Sequence, residues 1–306
     1  MKKNLQFYLK KAIKQHFAIG AFNFFNLESL QAVNKASIET KSPIIIAVSE
    51  SSLDYMGDEF VVSLAQICKK SNPHIFLHLD HGSNFKICKK AIDLGFDSVM
   101  FDGSLLPFEE NIKQTKKVVS YAHKRGVLVE GEVGKILGTE DNVLSQETIY
   151  TTPQAAYEFV KRTQVDMLAV SIGTAHGINK HSKTSKLRFD LLTKIEKVLP
   201  NFPLVLHGAS TINIKLVNEC NKYGGKIENF SGIEENQIIK AIKEHNIVKI
   251  NTDTDIRLAF TSKLRKFLTQ HPEDIDVRKM LIEGKREVTE TVKYKIEKIF
   301  DSKNKK

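Results

Sequence analysis

Eight short apolar runs, each followed by a stretch with helical periodicity, constrain this chain more than any other feature. They lie at 18–23, 43–49, 74–80, 98–103, 128–134, 167–173, 203–208 and 247–253. Runs such as PIIIAVS (43–49) are β-branched and apolar at successive positions. That is the pattern of a parallel strand covered on both faces. Strands alternating with helices imply a parallel sheet. Eight such units within about 250 residues fit a closed (β/α)8 TIM barrel better than an open doubly wound sheet. The dinucleotide fingerprint GxGxxG is also missing, because AIGAFNFFNLES after the first run holds one glycine. We expect one barrel domain over residues 1–306, with additional helices at both ends. The N-terminal helix runs from Asn4 to about Gln15. A C-terminal helical extension covers about 272–300, where Val288, Val292, Ile296 and Ile299 recur at helical spacing. It suits packing on the barrel or against a second subunit.

Helix punctuation agrees with this division. Asn26 and Thr152-Pro153 mark helix starts. Pro107, Glu109 and Glu110 open another helix, and Gly126 follows its end. Residues 135–150 read as a long loop.

Three runs end alike. IFLHLDHG ends in Asp80, His81 and Gly82; MLAVSIGTAHG reaches His176 and Gly177; PLVLHGAS reaches His207 and Gly208. The C-terminal ends of barrel strands share one face, where barrel active sites lie. Three histidines far apart in sequence are thereby brought to one point, with Asp80 beside them. Neutral imidazoles suit Zn2+, and three protein ligands leave a fourth position for substrate. A single histidine at a strand end is more often structural, so the repetition carries the reading. Asp102, at the end of the fourth run, and Glu132, near the end of the fifth, can support the histidines from behind or hold a second divalent ion. For each taken alone, an ion pair at the barrel rim is the competing reading. Glu140 sits in the glycine-flanked loop GKILGTED, which can bring a base to substrate. The turns GTAHG, HGAST and NTDT expose backbone N–H groups and hydroxyls of the kind that cradle phosphate. Arg257 can reach a second anionic group or form a surface ion pair.

Composition excludes several partners. The net charge is +10, but the lysines are spread along helix-like segments. No dense basic run interleaved with aromatics occurs outside the tail SKNKK, which argues against nucleic acid. A phosphorylated small molecule suits the charge better. No apolar run reaches the roughly 18 residues of a membrane-spanning helix. The segment LQFYLKKAIKQH is amphipathic, unlike a signal peptide. Cys68, Cys88 and Cys220 are odd in number and widely spaced. That argues against a disulfide framework and for a cytoplasmic location.

HLDHGSNF, FDGS, VEGEVGKILGTEDN, IGTAHG, LVLHGAS, KYGGKI and KINTDTDIRLAF together resemble the class II, metal-dependent fructose-bisphosphate aldolases of the shorter bacterial subgroup. The resemblance runs from about Asn4 to Phe300. It implies a zinc-bearing barrel, a homodimer or homotetramer, and reversible cleavage of fructose 1,6-bisphosphate to dihydroxyacetone phosphate and glyceraldehyde 3-phosphate in glycolysis and gluconeogenesis. His81, His176 and His207 match the zinc ligands, and Asp80 matches the acid/base at the carbon-4 oxygen. Asp102 and Glu132 match positions that hold a second metal or the displaced zinc. Glu140 matches the loop carboxylate that exchanges the carbon-bound proton. Gly177, Gly208, Ala209 and Ser210, with Asn251, Thr252, Asp253 and Thr254, match the dihydroxyacetone-phosphate contacts. Ser49 matches a contact to the other triose. Two stretches depart from the family pattern: GINKHSKTSKLRFD, which includes Lys180, and TINIK after Ser210.

Zinc then polarises the ketone and stabilises the enediolate as a Lewis acid. A metal-free enzyme would need a Schiff-base lysine, and Lys249 lies mid-strand. Tagatose-bisphosphate aldolase is the nearest alternative. Its branch typically has Ala at the position of Asp253 and lacks the arginine matching Arg257. A zinc hydrolase on the same barrel is the other, and it would need no phosphate loops.

Overall fold

The structure is a computed structural model. It describes residues 4–136, 148–175, 186–228 and 230–306, and the backbone alone at 138–140 and 143–145. Eight parallel strands close into a barrel. They are β1 (Ile19–Asn23), β2 (Ile44–Ser49), β3 (Ile75–Gly82), β4 (Ser98–Phe101), β5 (Leu128–Val133), β6 (Met167–Val170), β7 (Leu204–Leu206) and β8 (Ile247–Thr252). Each pairs with its neighbour in sequence, and β8 returns to β1. The strands fall within the apolar runs, except that β3 continues through His81 and Gly82.

Helices surround the strands in chain order: α1 (Leu5–Gln15), α2 (Leu27–Thr40), α3 (Glu50–Met56), α4 (Asp58–Ser71), α5 (Phe85–Asp93), α6 (Phe108–His123), α7 (Pro153–Thr163), α8 (Phe189–Val198), α9 (Ile214–Lys222), α10 (Glu235–Glu244), α11 (Thr254–Gln270) and α12 (Val277–Tyr294). A single π-helical turn, Lys295–Ile299, ends α12. The expected caps form. Asn4 accepts from Phe7 N, Asn26 and Ser29 cap each other's backbone, and Thr152 accepts from Ala155 N. Two elements were not legible in sequence. ESSLDYM is too short to show helical periodicity, yet it forms α3 with Ser49 as its cap. Within 135–150, Gly138–Glu140 pairs antiparallel with Val143–Ser145, where a plain loop was expected.

Side-chain alternation splits the core into two layers. In β2, Ile44, Ile46 and Val48 pack outward with the helices, whereas Ile45 joins the barrel interior. The lower interior is filled by Ile19, Ala21, Ile45, Phe76, Met167, Ala169, Val205 and Val248, packed against Leu5, Tyr8, Leu9 and Ala12 of α1. Thus α1 plugs the N-terminal end of the barrel. Leu9 is 1% exposed, so truncating it to Ala would cost about 2–5 kcal/mol. The C-terminal extension packs on the barrel's own α11 and α2. Val288, Val292, Ile296 and Ile299 are all fully buried, as their spacing requires.

Candidate metal and acid–base site

The same alternation that fills the lower barrel carries polar groups into its upper half. Ile19 and Ala21 lead to Asn23, Phe76 leads through His78 to Asp80, and Val205 leads to His207. Glu130 and Glu132 share the inner face of β5, as do Lys249 and Asn251 on β8. All of these polar side chains are at most 4% exposed.

His81 should point outward, because it follows Asp80 directly. The β3–β4 register shifts between Leu79 and Gly82, and His81 adopts the left-handed region with φ 49°. This bulge turns two consecutive side chains to one site, a use of bulges common near active sites. Gly82 permits it: a Cβ there would lie 2.7 Å from both Met100 O and Cys88 Sγ.

Asp80 receives two amides. Asn23 Nδ2 donates to Oδ2 at 2.9 Å, and Asn251 Nδ2 donates to Oδ1 at 2.6 Å. Each histidine has a carboxylate behind it. His81 Nδ1 lies 2.8 Å from Asp102 Oδ2, and His207 Nε2 lies 2.7 Å from Glu130 Oε1. Burial works against ionisation of Asp102, but the hydrogen bond and charge of His81 hold its carboxyl well below the usual range. For Glu130, burial is likewise outweighed, chiefly by the Lys249 charge and then by His207. Lys249 Nζ sits 2.9 Å from Glu130 Oε2 and donates to Asn251 Oδ1 at 2.6 Å. Burial pushes the His207 imidazole down, partly opposed by Glu130.

Ionised carboxylates accept only, so each histidine donates the N–H that faces its carboxylate. The remaining nitrogens, His81 Nε2 and His207 Nδ1, lie 2.8 Å apart, at hydrogen-bond distance, with the rings at 86°. Two imidazole nitrogens that converge in this way, on rings each backed by a carboxylate, belong to a group of side chains that could hold a divalent cation. Asp80 lies beside them: ligand-capable atoms of Asp80, His81 and His207 all lie within 4.8 Å of one another. A second set, His81, Asp102 and Glu132, meets the same limit.

The other expected residues distribute as follows. Ser49 pairs with Asp80 across β2 and β3. Gly208, Ala209 and Ser210 follow β7, and Thr252, Asp253 and Thr254 join β8 to α11. Arg257 pairs with Asp253 itself, with Nε 2.8 Å from both carboxylate oxygens, and lies 5.2 Å from the Phe25 ring. His176, Gly177, Lys180 and the Glu140 side chain lie outside the described residues. Sequence reasoning missed Asn23, Glu130 and the role of Lys249. Their signal was parity: each stands two residues from another inner-face position.

A buried group of possible metal ligands with a carboxylate beside it, at the C-terminal mouth of a (β/α)8 barrel, fits a metal-assisted enzyme. The chain belongs to the class II fructose-bisphosphate aldolase family, whose description, "Fructose-bisphosphate aldolase class-II", matches residues 3–305. It is therefore an aldolase, a carbon–carbon lyase of a metal-dependent family acting on phosphorylated sugars. A fructose-bisphosphate aldolase of Treponema pallidum (strain Nichols) is 40% identical, with 95% of this chain and 94% of that one aligned. One of Giardia intestinalis is 42% identical over 96% of this chain and 91% of its own. Among solved structures, the YdjI aldolase of Escherichia coli K12 superposes with a TM-score of 0.79 at 29% identity, covering 100% of this chain and 99% of that one. No helix among the described residues is long and apolar enough to cross a membrane.

Proposed function

We propose that the chain reversibly cleaves fructose 1,6-bisphosphate to dihydroxyacetone phosphate and glyceraldehyde 3-phosphate, using Zn2+ held by His81, His176 and His207. The observation that carries this reading is the convergence of His81 Nε2 and His207 Nδ1, 2.8 Å apart, beside Asp80. The bound ion supplies Lewis acidity toward the ketone. Asp80, held by Asn23 and Asn251, takes the proton from the carbon-4 hydroxyl in cleavage and returns it to the aldehyde in condensation. Glu140 exchanges the proton on the dihydroxyacetone-phosphate carbon. Backbone and hydroxyl groups of Gly177, Gly208, Ala209, Ser210, Asn251, Thr252, Asp253 and Thr254 hold that triose and its phosphate. Ser49 contacts the other triose. Arg257 exchanges its Asp253 partner for the carbon-6 phosphate, which leaves Asp253 to accept from the carbon-4 hydroxyl. Asp102 and Glu132 offer a second divalent position. The reading includes a cytoplasmic homodimer or homotetramer.

A coupled assay on fructose and tagatose bisphosphates, with and without chelator, tests it. We expect cleavage of the fructose sugar, loss of turnover on chelation and recovery with Zn2+. His81→Ala and His207→Ala should each lose bound metal. Full turnover in a metal-free preparation would overturn the reading. Lys249 offers no alternative route, because its ammonium is buried and engaged by Glu130 and Asn251.

A further inference from the structure

The turns after β7 and β8 share a support. Thr211 follows Ser210, and Asp255 follows Thr254. One side chain from the C-terminal extension reaches both. Lys295 Nζ donates to Thr211 Oγ1 at 2.9 Å and lies 3.2 Å from Asp255 Oδ2. Thr211 Oγ1 in turn donates to Asp255 Oδ1 at 3.4 Å. The Lys295 and Asp255 side chains are 4% and 5% exposed.

A charge pair buried this deeply is weak evidence for stability, because desolvation offsets most of the attraction. Its placement is more informative. Lys295 opens the π-turn Lys295–Ile299, in which Lys295, Ile296 and Ile299 are all buried. Such turns are rare and concentrate at functional sites. The opposite side of the β7 turn is fixed as well. Ile233 N donates to Ser210 O at 2.9 Å, and a Cβ on Gly232 would lie 2.8 Å from the Thr211 carbonyl carbon. The backbone at Ser210 and Thr211 is therefore held between Gly232 and Lys295.

We propose that Lys295, acting through Asp255 and Thr211, is a positioning residue for substrate phosphate. It sets the spacing between the turn after β7 and the N-terminus of α11, so that N–H groups of both meet one phosphate. This rests on the phosphate-site assignment made above. Backbone donors recognise an anion by position, and helix N-termini add favourable dipole. A displacement of about 1 Å at such a site costs up to about a hundredfold.

The test uses Lys295→Met, which keeps the length of the stem and removes the charge. We expect KM for fructose 1,6-bisphosphate to rise about ten- to a hundredfold while kcat changes little. Binding of inorganic phosphate, followed by calorimetry, should weaken in step, and zinc content should stay at the parent level. The double variant Lys295→Met/Asp255→Asn removes the carboxylate left unpaired in the single one, and it should show the same phosphate defect. If the single variant fails to fold, the double variant carries the test. A folded double variant with parent KM and parent phosphate binding would overturn the inference. So would a loss confined to kcat. If the parent enzyme fails to cleave the sugar while phosphate binding still depends on Lys295, the functional reading fails and the positioning role stands.

Discussion

Replacing Lys249 by Met tests the buried network that runs from His207 through Glu130, Lys249 and Asn251 to Asp80. Lys249 is fully buried, and its ammonium bridges Glu130 and Asn251. Removing it leaves the Glu130 carboxylate buried without its cation. Breaking such a pair costs about 3–5 kcal/mol. Asn251 also loses the donor that fixes its Oδ1, and with it the orientation of the amide that bonds Asp80. One such hydrogen bond contributes about 1 kcal/mol, so kcat should fall roughly fivefold to tenfold. Guanidinium unfolding by circular dichroism gives the first quantity, and the coupled assay at saturating sugar gives the second. Adding Glu130→Gln should recover much of the stability, because no unpaired charge remains. It should not recover kcat, since His207 Nε2 loses its carboxylate partner. Lys249→Met with stability within about 1 kcal/mol of the parent, and with unchanged kcat, would refute the reasoning.

Three further outcomes are expected. Asp80→Ala should keep bound metal yet slow cleavage by roughly two to four orders of magnitude, whereas Glu140→Ala should mainly slow solvent exchange of the dihydroxyacetone-phosphate proton; native exchange in the Glu140 variant would remove that role. Asp253→Ala should reduce the preference for fructose over tagatose bisphosphate, about ten- to a hundredfold in the parent, and Arg257→Ala should weaken apparent affinity; equal kcat/KM for the two sugars in the parent would refute the assignment of Asp253. Burial, with the nearby Lys249 charge, pushes the His78 imidazole from an ordinary 6.5 down to about 3. Within that window the unfolded chain binds a proton that the native state does not, so this group makes stability fall as pH is lowered. The slope is about 1.4 kcal/mol per pH unit. Unfolding midpoints at pH 6, 5 and 4 should therefore fall less steeply for His78→Gln, and an identical slope would count against a neutral buried imidazole.

The barrel was legible because both-face burial leaves apolar runs that helix periodicity separates cleanly. Asp80, His81 and His207 were legible because each closes such a run abruptly. Glu130 and Lys249 were not, since their pairing crosses the barrel and neither ends a strand. Asn23 looked like an ordinary strand end. The joint approach of Asp80 and His81 depends on the bulge at His81, which follows from packing around Gly82 and Met100, far from any local pattern. The ion pair between Asp253 and Arg257 shows a further limit: spacing of four residues on a helix start permits both pairing and ligand binding.

The plug formed by α1 bears on the order of folding events. It lies early in the sequence, yet the surface it covers is assembled from strands all round the barrel. Ile19, Ile45, Phe76, Met167, Val205 and Val248 all contribute to the cluster beneath it. Until β8 returns to β1, that floor is incomplete, and Leu5, Tyr8 and Leu9 have no finished seat. Closing contacts of such long sequence separation is slow. An amphipathic helix and a β1 edge left exposed together over such a delay would favour association between copies of the chain. The seat of a helix that precedes every strand in this sequence is thus complete only once the last strand has closed the barrel.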